Sequence, residues 1–226
     1  MQNSKPTCLG FIMDGNRRWA KEQGLPTLDG HQRGLEVFLD IVGFVRDAEI
    51  PHAVFYAFST ENWKRTEVEV AYLMSLFSSL LARMTEQLTE EGVRVRVVGR
   101  REDFSPELQK QMTELEEKSS RFIGTTIWIA LSYGGRAEIV GAVNEAIRLG
   151  EEVNEETFEK LLWTAEMPDP DMIIRTSGEE RLSNFLTWKS AYSEFYFIEK
   201  HWPALTKLDF EDILAEYAKR ERRHGA

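Results

Sequence analysis

Short apolar runs alternating with helical-period segments predict an α/β fold, one domain with a mostly parallel central sheet covered by helices. Three observations carry this. Runs rich in β-branched and aromatic residues recur at 8–13, 53–58, 93–98, 125–131, 172–174 and 195–198. The stretches between them are long enough for the crossover helices that parallel strands require. Polar, glycine-bearing clusters follow directly on the apolar runs, where the ligand sites of parallel sheets form.

The run at 8–13 is short and unbroken, as in a strand buried on both faces. Residues 33–48 then place Leu35, Phe38, Leu39, Ile41, Val42 and Val45 on one helical face. After the run at 53–58 comes the longest helical segment, 67–91, carrying Val70, Leu73, Met74, Phe77, Leu80, Leu81, Met84 and Leu88. That apolar set is broad enough to pack on a sheet and also to wall a cleft for an aliphatic ligand. Helical patterns at 105–120, 136–149, 155–163 and 208–222 follow the later runs. No repeat, low-complexity tract or Pro/Gly/Ser linker divides the chain, so residues 1–226 read as a single domain. The expected architecture includes an apolar cleft or tunnel between sheet and helices.

Composition narrows the function. With 42% hydrophobic and 11% aromatic residues among 226, the chain can build a sizeable core. No apolar run reaches the ~18–20 residues of a membrane-spanning helix, and the opening MQNSKP lacks the basic-then-apolar pattern of a signal peptide. The single Cys8 excludes an intramolecular disulfide framework and CxxC-type metal sites. A cytoplasmic globular protein is the natural reading. The net charge of −10 argues against a nucleic-acid partner. Acidic residues concentrate at 86–91, 114–117 and 151–159, whereas arginines gather in Gly/Ser/Asn-rich stretches, a distribution that suits a local anion pocket.

Four clusters carry chemistry. In FIMDGNRRWA (11–20) a strand ends near Asp14, and Gly15, Asn16, Arg17, Arg18 and Trp19 follow at the mouth of the sheet. A carboxylate there can hold Mg²⁺ against substrate phosphates, and turn amides with arginines can take phosphate oxygens. The bland alternative is a β-turn with solvated arginines. In GHQRG (30–34) glycines flank the expected start of the 33–48 helix, where free N–H groups favour an anion and His31 could donate. A cap or surface histidine is the alternative. AFSTENWKR (57–65) lies between strand and long helix, the place of a binding loop, with Ser59, Thr60, Glu61, Asn62, Trp63 and Arg65; a helix cap would explain it equally. The fourth cluster follows the run at 172–174: Arg175, a Thr-Ser-Gly turn, then Arg181, Leu182, Ser183 and Asn184. Two arginines across such a turn can converge on one diphosphate, unless they pair with Glu179 and Glu180 instead.

In order along nearly the whole chain, these clusters resemble the cis-prenyltransferases, the family of undecaprenyl diphosphate synthase. The resemblance also takes in YGGRAEIV at 133–140, W-x₃-Y-x-E-x-YF at 188–197 and RRHG at 222–225. It implies an Mg²⁺-dependent prenyltransferase of isoprenoid biosynthesis. Such an enzyme condenses isopentenyl diphosphate with an allylic diphosphate, most simply farnesyl diphosphate. The product would be a polyprenyl diphosphate such as undecaprenyl diphosphate, a lipid carrier for cell-wall glycans.

On the matching positions, Asp14 would carry the metal, and Glu194 would complete its site from the partner subunit of a homodimer. Gly15, Asn16, Arg17, Arg18, Trp19, Thr27 and His31, with Ser59, Thr60, Glu61, Trp63 and Arg65, would hold the allylic substrate. Arg175, Arg181, Leu182 and Ser183, with Arg223 and Gly225, would bind isopentenyl diphosphate. Asn62 would join Asp14 in catalysis by orienting water or the leaving diphosphate, since an amide is a poor base. The lipid product would bring the enzyme transiently to the inner face of the membrane.

Two departures matter. Arg17 stands where bacterial members commonly have Gly, and Thr27 stands where an arginine is usual, so Arg17 is expected to supply the missing charge. Two other classes compete: a phosphohydrolase using Asp14 as nucleophile, and a non-catalytic partner subunit of a prenyltransferase. Asn16 stands where the first commonly needs a second carboxylate, and retention of Asp14, Arg175, Arg181 and Glu194 opposes the second. No DDxxD motif of the all-helical trans-prenyltransferases occurs.

Overall fold

The structure, a computed structural model, describes residues 5–220, less the side chains of residues 87–90. Six strands form one sheet: β1 (Cys8–Ile12), β2 (His52–Ser59), β3 (Arg94–Val98), β4 (Thr126–Tyr133), β5 (Met172–Thr176) and β6 (Glu194–Ile198). Each falls on one of the apolar runs. All are parallel, in the order β3-β4-β2-β1-β5-β6. β1, β4 and β5 are buried along their whole length, which is why they read as unbroken apolar runs.

The helices are α1 (Asn16–Glu22), α2 (Thr27–Asp47), α3 (Glu67–Glu90), α4 (Pro106–Ser119), α5 (Gly135–Leu149), α6 (Glu155–Glu159) and α7 (Lys207–Ala218). One face of the sheet packs against α2, α3, α4 and α7 through a single large core, from Val37 and Phe38 to Leu80, Leu115 and Ile213. The other face differs from a helical cover. Cys8, Val54, Trp128 and Ile173 pack there against Met167, Phe185 and Leu186 from irregular segments. α5 and α6 form a smaller cluster with Trp188.

Beyond the earlier ends of α6 at Glu159 and α7 at Ala218, two departures from the sequence reading bear on the site. α1 was not expected, because NRRWAKE buries Ala20 alone and carries no apolar stripe. α2 begins at Thr27, so GHQRG lies inside the helix and not at its start. Gly30 and Gly34 are there for close approach. A Cβ at Gly30 would stand 2.0 Å from the Asn16 carbonyl oxygen, and one at Gly34 would stand 2.1 Å from Asn16 Oδ1. The expected anion-binding helix terminus at 30–34 is therefore corrected to a helix–helix contact, since amides inside the ladder are already bonded.

YGGRAEIV also has a structural reason. Glu138 is fully buried. Its Oε1 accepts from Thr164 N at 2.9 Å and Thr164 Oγ1 at 2.7 Å, and its Oε2 accepts from Tyr133 Oη at 2.5 Å. Burial raises its pKa, which the hydrogen bonds oppose. This buried network pins the start of α5 and places Arg136 on the wall of the site described next.

Candidate active site

β1 leads to β2 on one side and β5 leads to β6 on the other, so a crevice opens between the carboxyl ends of β1 and β5. Ile12 and Arg175 are register partners across it. Two residues beyond the end of β1, the Asp14 carboxylate accepts from Arg175 Nη2 at 2.9 Å through Oδ2. Arg18 Nη2 lies 3.3 Å from the same oxygen, and Gly15 N–H donates to Oδ1 at 2.7 Å. Partial burial alone would raise the Asp14 pKa. The hydrogen bond and charge of Arg175, then Arg18 and the Gly15 amide, outweigh it and hold the carboxyl below its ordinary value.

The turn is fixed from behind. Asp14 N donates to Thr176 Oγ1 at 3.0 Å, Thr176 Oγ1 donates to Asp14 O at 2.7 Å, and Trp202 N donates to the same carbonyl at 3.0 Å. Gly15 has φ of 99°, and a Cβ there would meet His201 Nδ1 and Ser177 Oγ at 2.6 Å. Glycine is therefore required on two counts.

Arg175 is only 4% exposed although it lies next to the last residue of β5. Besides Asp14, it donates to the Arg181 carbonyl at 2.5 Å and to Ser183 Oγ at 2.7 Å, and its Nε has no partner. The structure thus brings Arg175, Leu182 and Ser183 together on one wall. The Arg181 guanidinium is not brought there: it is exposed and donates to Glu179.

Three cavities share Met13, Asn16 and His31 as walls. The largest, about 770 Å³, opens over Asp14 and Arg175 and is lined also by Ser59, Glu61, Asn62 and Arg65. A second, about 660 Å³, lies on the α1 side, where Gly15, Arg17, Arg18, Lys21 and Thr27 face it. The third is apolar and narrower, about 80 Å³, and runs between Leu35 and Phe38 of α2 and Leu73, Leu76, Phe77 and Leu80 of α3. A charged mouth therefore continues into an apolar channel beneath the longest helix. Trp128 lies on the other face of the sheet and does not reach it.

Residues 57–65 end β2 and continue into a short 3-10 helix (Thr60–Lys64) capped by Ser59, so the helix-cap alternative holds locally, and their side chains divide between two sides. Asn62 Oδ1 accepts from Ser59 N at 3.0 Å, which turns the amide's acceptor inward and leaves its NH₂ free to donate to the cleft. Glu61 accepts from Asn184 Nδ2 at 2.9 Å. Trp63 turns away: its Nε1 donates to Ser132 Oγ at 2.8 Å and its ring packs on Phe58 and Phe104. Thr60 sits with Trp63 beside a separate cavity bounded by Arg100 and Asp103. Trp19 is half-buried on α1, outside the walls of the three main cavities.

Glu194 stands at the amino end of β6, paired in register with Met172, and accepts from Arg220 at 2.8 Å. It is at the opposite end of the sheet from Asp14, so one chain does not bring the two carboxylates together. Arg223 and Gly225 lie outside the described residues.

Among the described residues no group of three or more His, Cys, Asp or Glu side chains could enclose a metal ion. An ionised carboxylate facing two open cavities nevertheless fits Mg²⁺, which takes one or two carboxylates and completes its shell with phosphates and water. Sequence reasoning missed Tyr56, Arg136 and Glu69, and it named Asn184 in the fourth cluster without giving it a role. Tyr56 was hidden as one more aromatic residue in a strand, yet it lines both the polar cleft and the apolar channel. Glu69 could have been found from its spacing of four from Arg65, to which it pairs at 2.9 Å.

Residues 12–225 match a family model described as "Putative undecaprenyl diphosphate synthase". Over 225 residues the chain is 49% identical to an isoprenyl transferase of Thermotoga maritima, covering 97% of each chain. It is 41% identical over 227 residues to a ditrans,polycis-undecaprenyl-diphosphate synthase ((2E,6E)-farnesyl-diphosphate specific) of Micrococcus luteus, covering 97% of this chain and 91% of the relative. Among solved structures, lavandulyl diphosphate synthase from Lavandula x intermedia, in complex with dimethylallyl diphosphate, superposes with a TM-score of 0.95. It is 31% identical, with complete coverage of both chains.

Proposed function

We propose, from the premise that this chain belongs to the undecaprenyl diphosphate synthase family of cis-type prenyltransferases, that it elongates farnesyl diphosphate with isopentenyl diphosphate. The product on this reading is a long polyprenyl diphosphate such as undecaprenyl diphosphate, a lipid carrier for cell-wall glycans. One observation carries the reading: a cation-lined cleft at the sheet's switch point continues into an apolar channel. The farnesyl specificity printed for the Micrococcus relative and the allylic diphosphate in the Lavandula structure support it.

In the reaction, C4 of isopentenyl diphosphate attacks C1 of the allylic substrate, the C1–O bond breaks, and a proton passes from C2 of the isopentenyl unit to the departing diphosphate as the new cis double bond forms. Negative charge grows on the departing diphosphate. Arg17, Arg18, His31 and Arg65 surround the cavities where it would sit, and fixed donors of this kind stabilise developing charge. Asp14 would hold Mg²⁺, which when bound supplies further neutralisation of the diphosphate. Arg175, Leu182 and Ser183 would bind isopentenyl diphosphate, with Arg181 joining only if it leaves Glu179. Asn62 offers a donor, which suits orienting a phosphate oxygen better than taking a proton.

The apolar tail would enter between α2 and α3. Each buried methylene contributes about 0.8 kcal/mol, so a five-carbon unit contributes roughly 4 kcal/mol, enough to retain a growing chain. The channel is narrow, so elongation requires the α3 side chains to part. The same reading includes a homodimer. Glu194 can complement Asp14 only from a second copy, and β6, which bears it, is an edge strand with exposed Phe195. No helix among the described residues is long and apolar enough to cross a membrane. The proposal is a cytoplasmic enzyme that meets the membrane surface through its product.

Incubation with radiolabelled isopentenyl diphosphate, farnesyl diphosphate and Mg²⁺ tests the reading. Labelled long-chain lipid is the expected outcome. Release of inorganic phosphate without elongation would instead favour the phosphohydrolase, and inactivity unless a second protein is added would favour the partner subunit.

A further inference from the structure

Glu69 occupies the first turn of α3, and neither the family comparisons nor the reaction outlined above requires it. Its side chain is 12% exposed. Oε1 lies 2.9 Å from Arg65 Nη1 and 3.4 Å from His31 Nε2, and Oε2 lies 4.0 Å from Arg17 Nη1. His31 and Arg65 line both polar cavities and Arg17 lines the second, while Glu69 stands behind all three. The arrangement differs from the other acidic partners nearby. Glu179, which pairs with Arg18 and Arg181, sits on a surface loop and can swing aside. Glu69 is held by its helix and by burial, so its charge stays in place when an anion enters the cavity.

A fixed negative charge behind the cations that receive a diphosphate must weaken that diphosphate's binding. In a single-turnover enzyme this would be a defect. In an elongating transferase inorganic diphosphate is produced at every cycle, and it must leave before the lengthened chain can present its own diphosphate in the same place. We propose that Glu69 is a built-in counter-anion that loosens the starter site's hold on diphosphate, so that the inorganic diphosphate released at each condensation departs. This rests on the reading of the cleft as an allylic diphosphate site.

The test compares wild type, Glu69→Gln and Glu69→Ala, each checked by thermal melting. Product inhibition by inorganic diphosphate is measured, together with its direct binding by calorimetry. Loss of one fixed charge near the site should lower both Ki and Kd for inorganic diphosphate by about tenfold. Multiple-turnover elongation should slow relative to the first condensation. An unchanged or raised Ki would overturn the proposal and make Glu69 a residue that orients Arg65 and His31. Failure of both variants to fold would also overturn it, as a purely structural role. Failure of the underlying reading is recognisable separately, because the wild type itself would then neither elongate nor bind inorganic diphosphate.

Discussion

The Asp14 carboxylate and the Arg175 guanidinium meet at 2.9 Å across the crevice between β1 and β5, one partly open and the other buried. Each conditions the other. Arg175 keeps Asp14 ionised, and Asp14 gives a buried cation its counter-charge. Replacing Asp14 by Ala should lower kcat by roughly 10³-fold while farnesyl diphosphate still binds through its apolar tail. Turnover assays beside calorimetric titration check this, and near-wild-type turnover would remove Asp14 from the proposed chemistry.

Much of this arrangement was legible in the sequence. The six apolar runs locate all six strands: β1, β4 and β5 are buried throughout and read as unbroken runs, while the partly exposed β2, β3 and β6 stay visible through their β-branched and aromatic residues. Asp14 and Arg175 were legible as polar residues set at the ends of such runs. Less visible was anything that depends on a neighbour distant in sequence. Gly30 and Gly34 have the look of helix-start glycines until Asn16 is seen packed against them. Arg181 and Trp63 bear suitable chemistry, but Glu179 claims the first, and Ser132 with Phe104 draws the second away from the cleft. Those outcomes depend on competing partners, which spacing does not encode.

Arg17 and Thr27 face the same cavity, which gives the expected compensation a physical basis. Arg17 is 62% exposed, so its contribution is screened. Arg17→Gly should raise the starter KM about three- to tenfold with little change in kcat. Steady-state kinetics in varied farnesyl diphosphate provide the measurement, and an unchanged KM would remove Arg17 from the starter site.

His31 offers a pH dependence with a definite sign. Burial, with the charges of Arg65 and Arg17, lowers its pKa from 6.5, and Glu69 opposes the shift. The folded protein therefore binds this proton less readily than the unfolded chain does. Stability is fully present above pH 6.5 and falls as the pH drops from there through the folded-state value. Urea unfolding at pH 7.5 and 5.5 should give a smaller loss for His31→Gln than for wild type. Equal losses would mean that His31 titrates normally.

Phe77 and Trp128 both read as residues large enough to limit product length, and the structure separates them. Phe77 lines the apolar channel on α3, where it also packs edge-on to Phe58. Trp128 is buried on the far face beside His52. A smaller residue at 77 should open the channel floor, so Phe77→Leu is expected to lengthen the lipid by one or more five-carbon units at a cost of about 1 kcal/mol in stability. Trp128→Phe should leave length unchanged while destabilising its own cluster by about 1–3 kcal/mol. Reversed-phase chromatography of dephosphorylated products, beside thermal melts of both variants, distinguishes the two. A length change from Trp128→Phe alone would move the proposed channel to the other side of the sheet, away from α3.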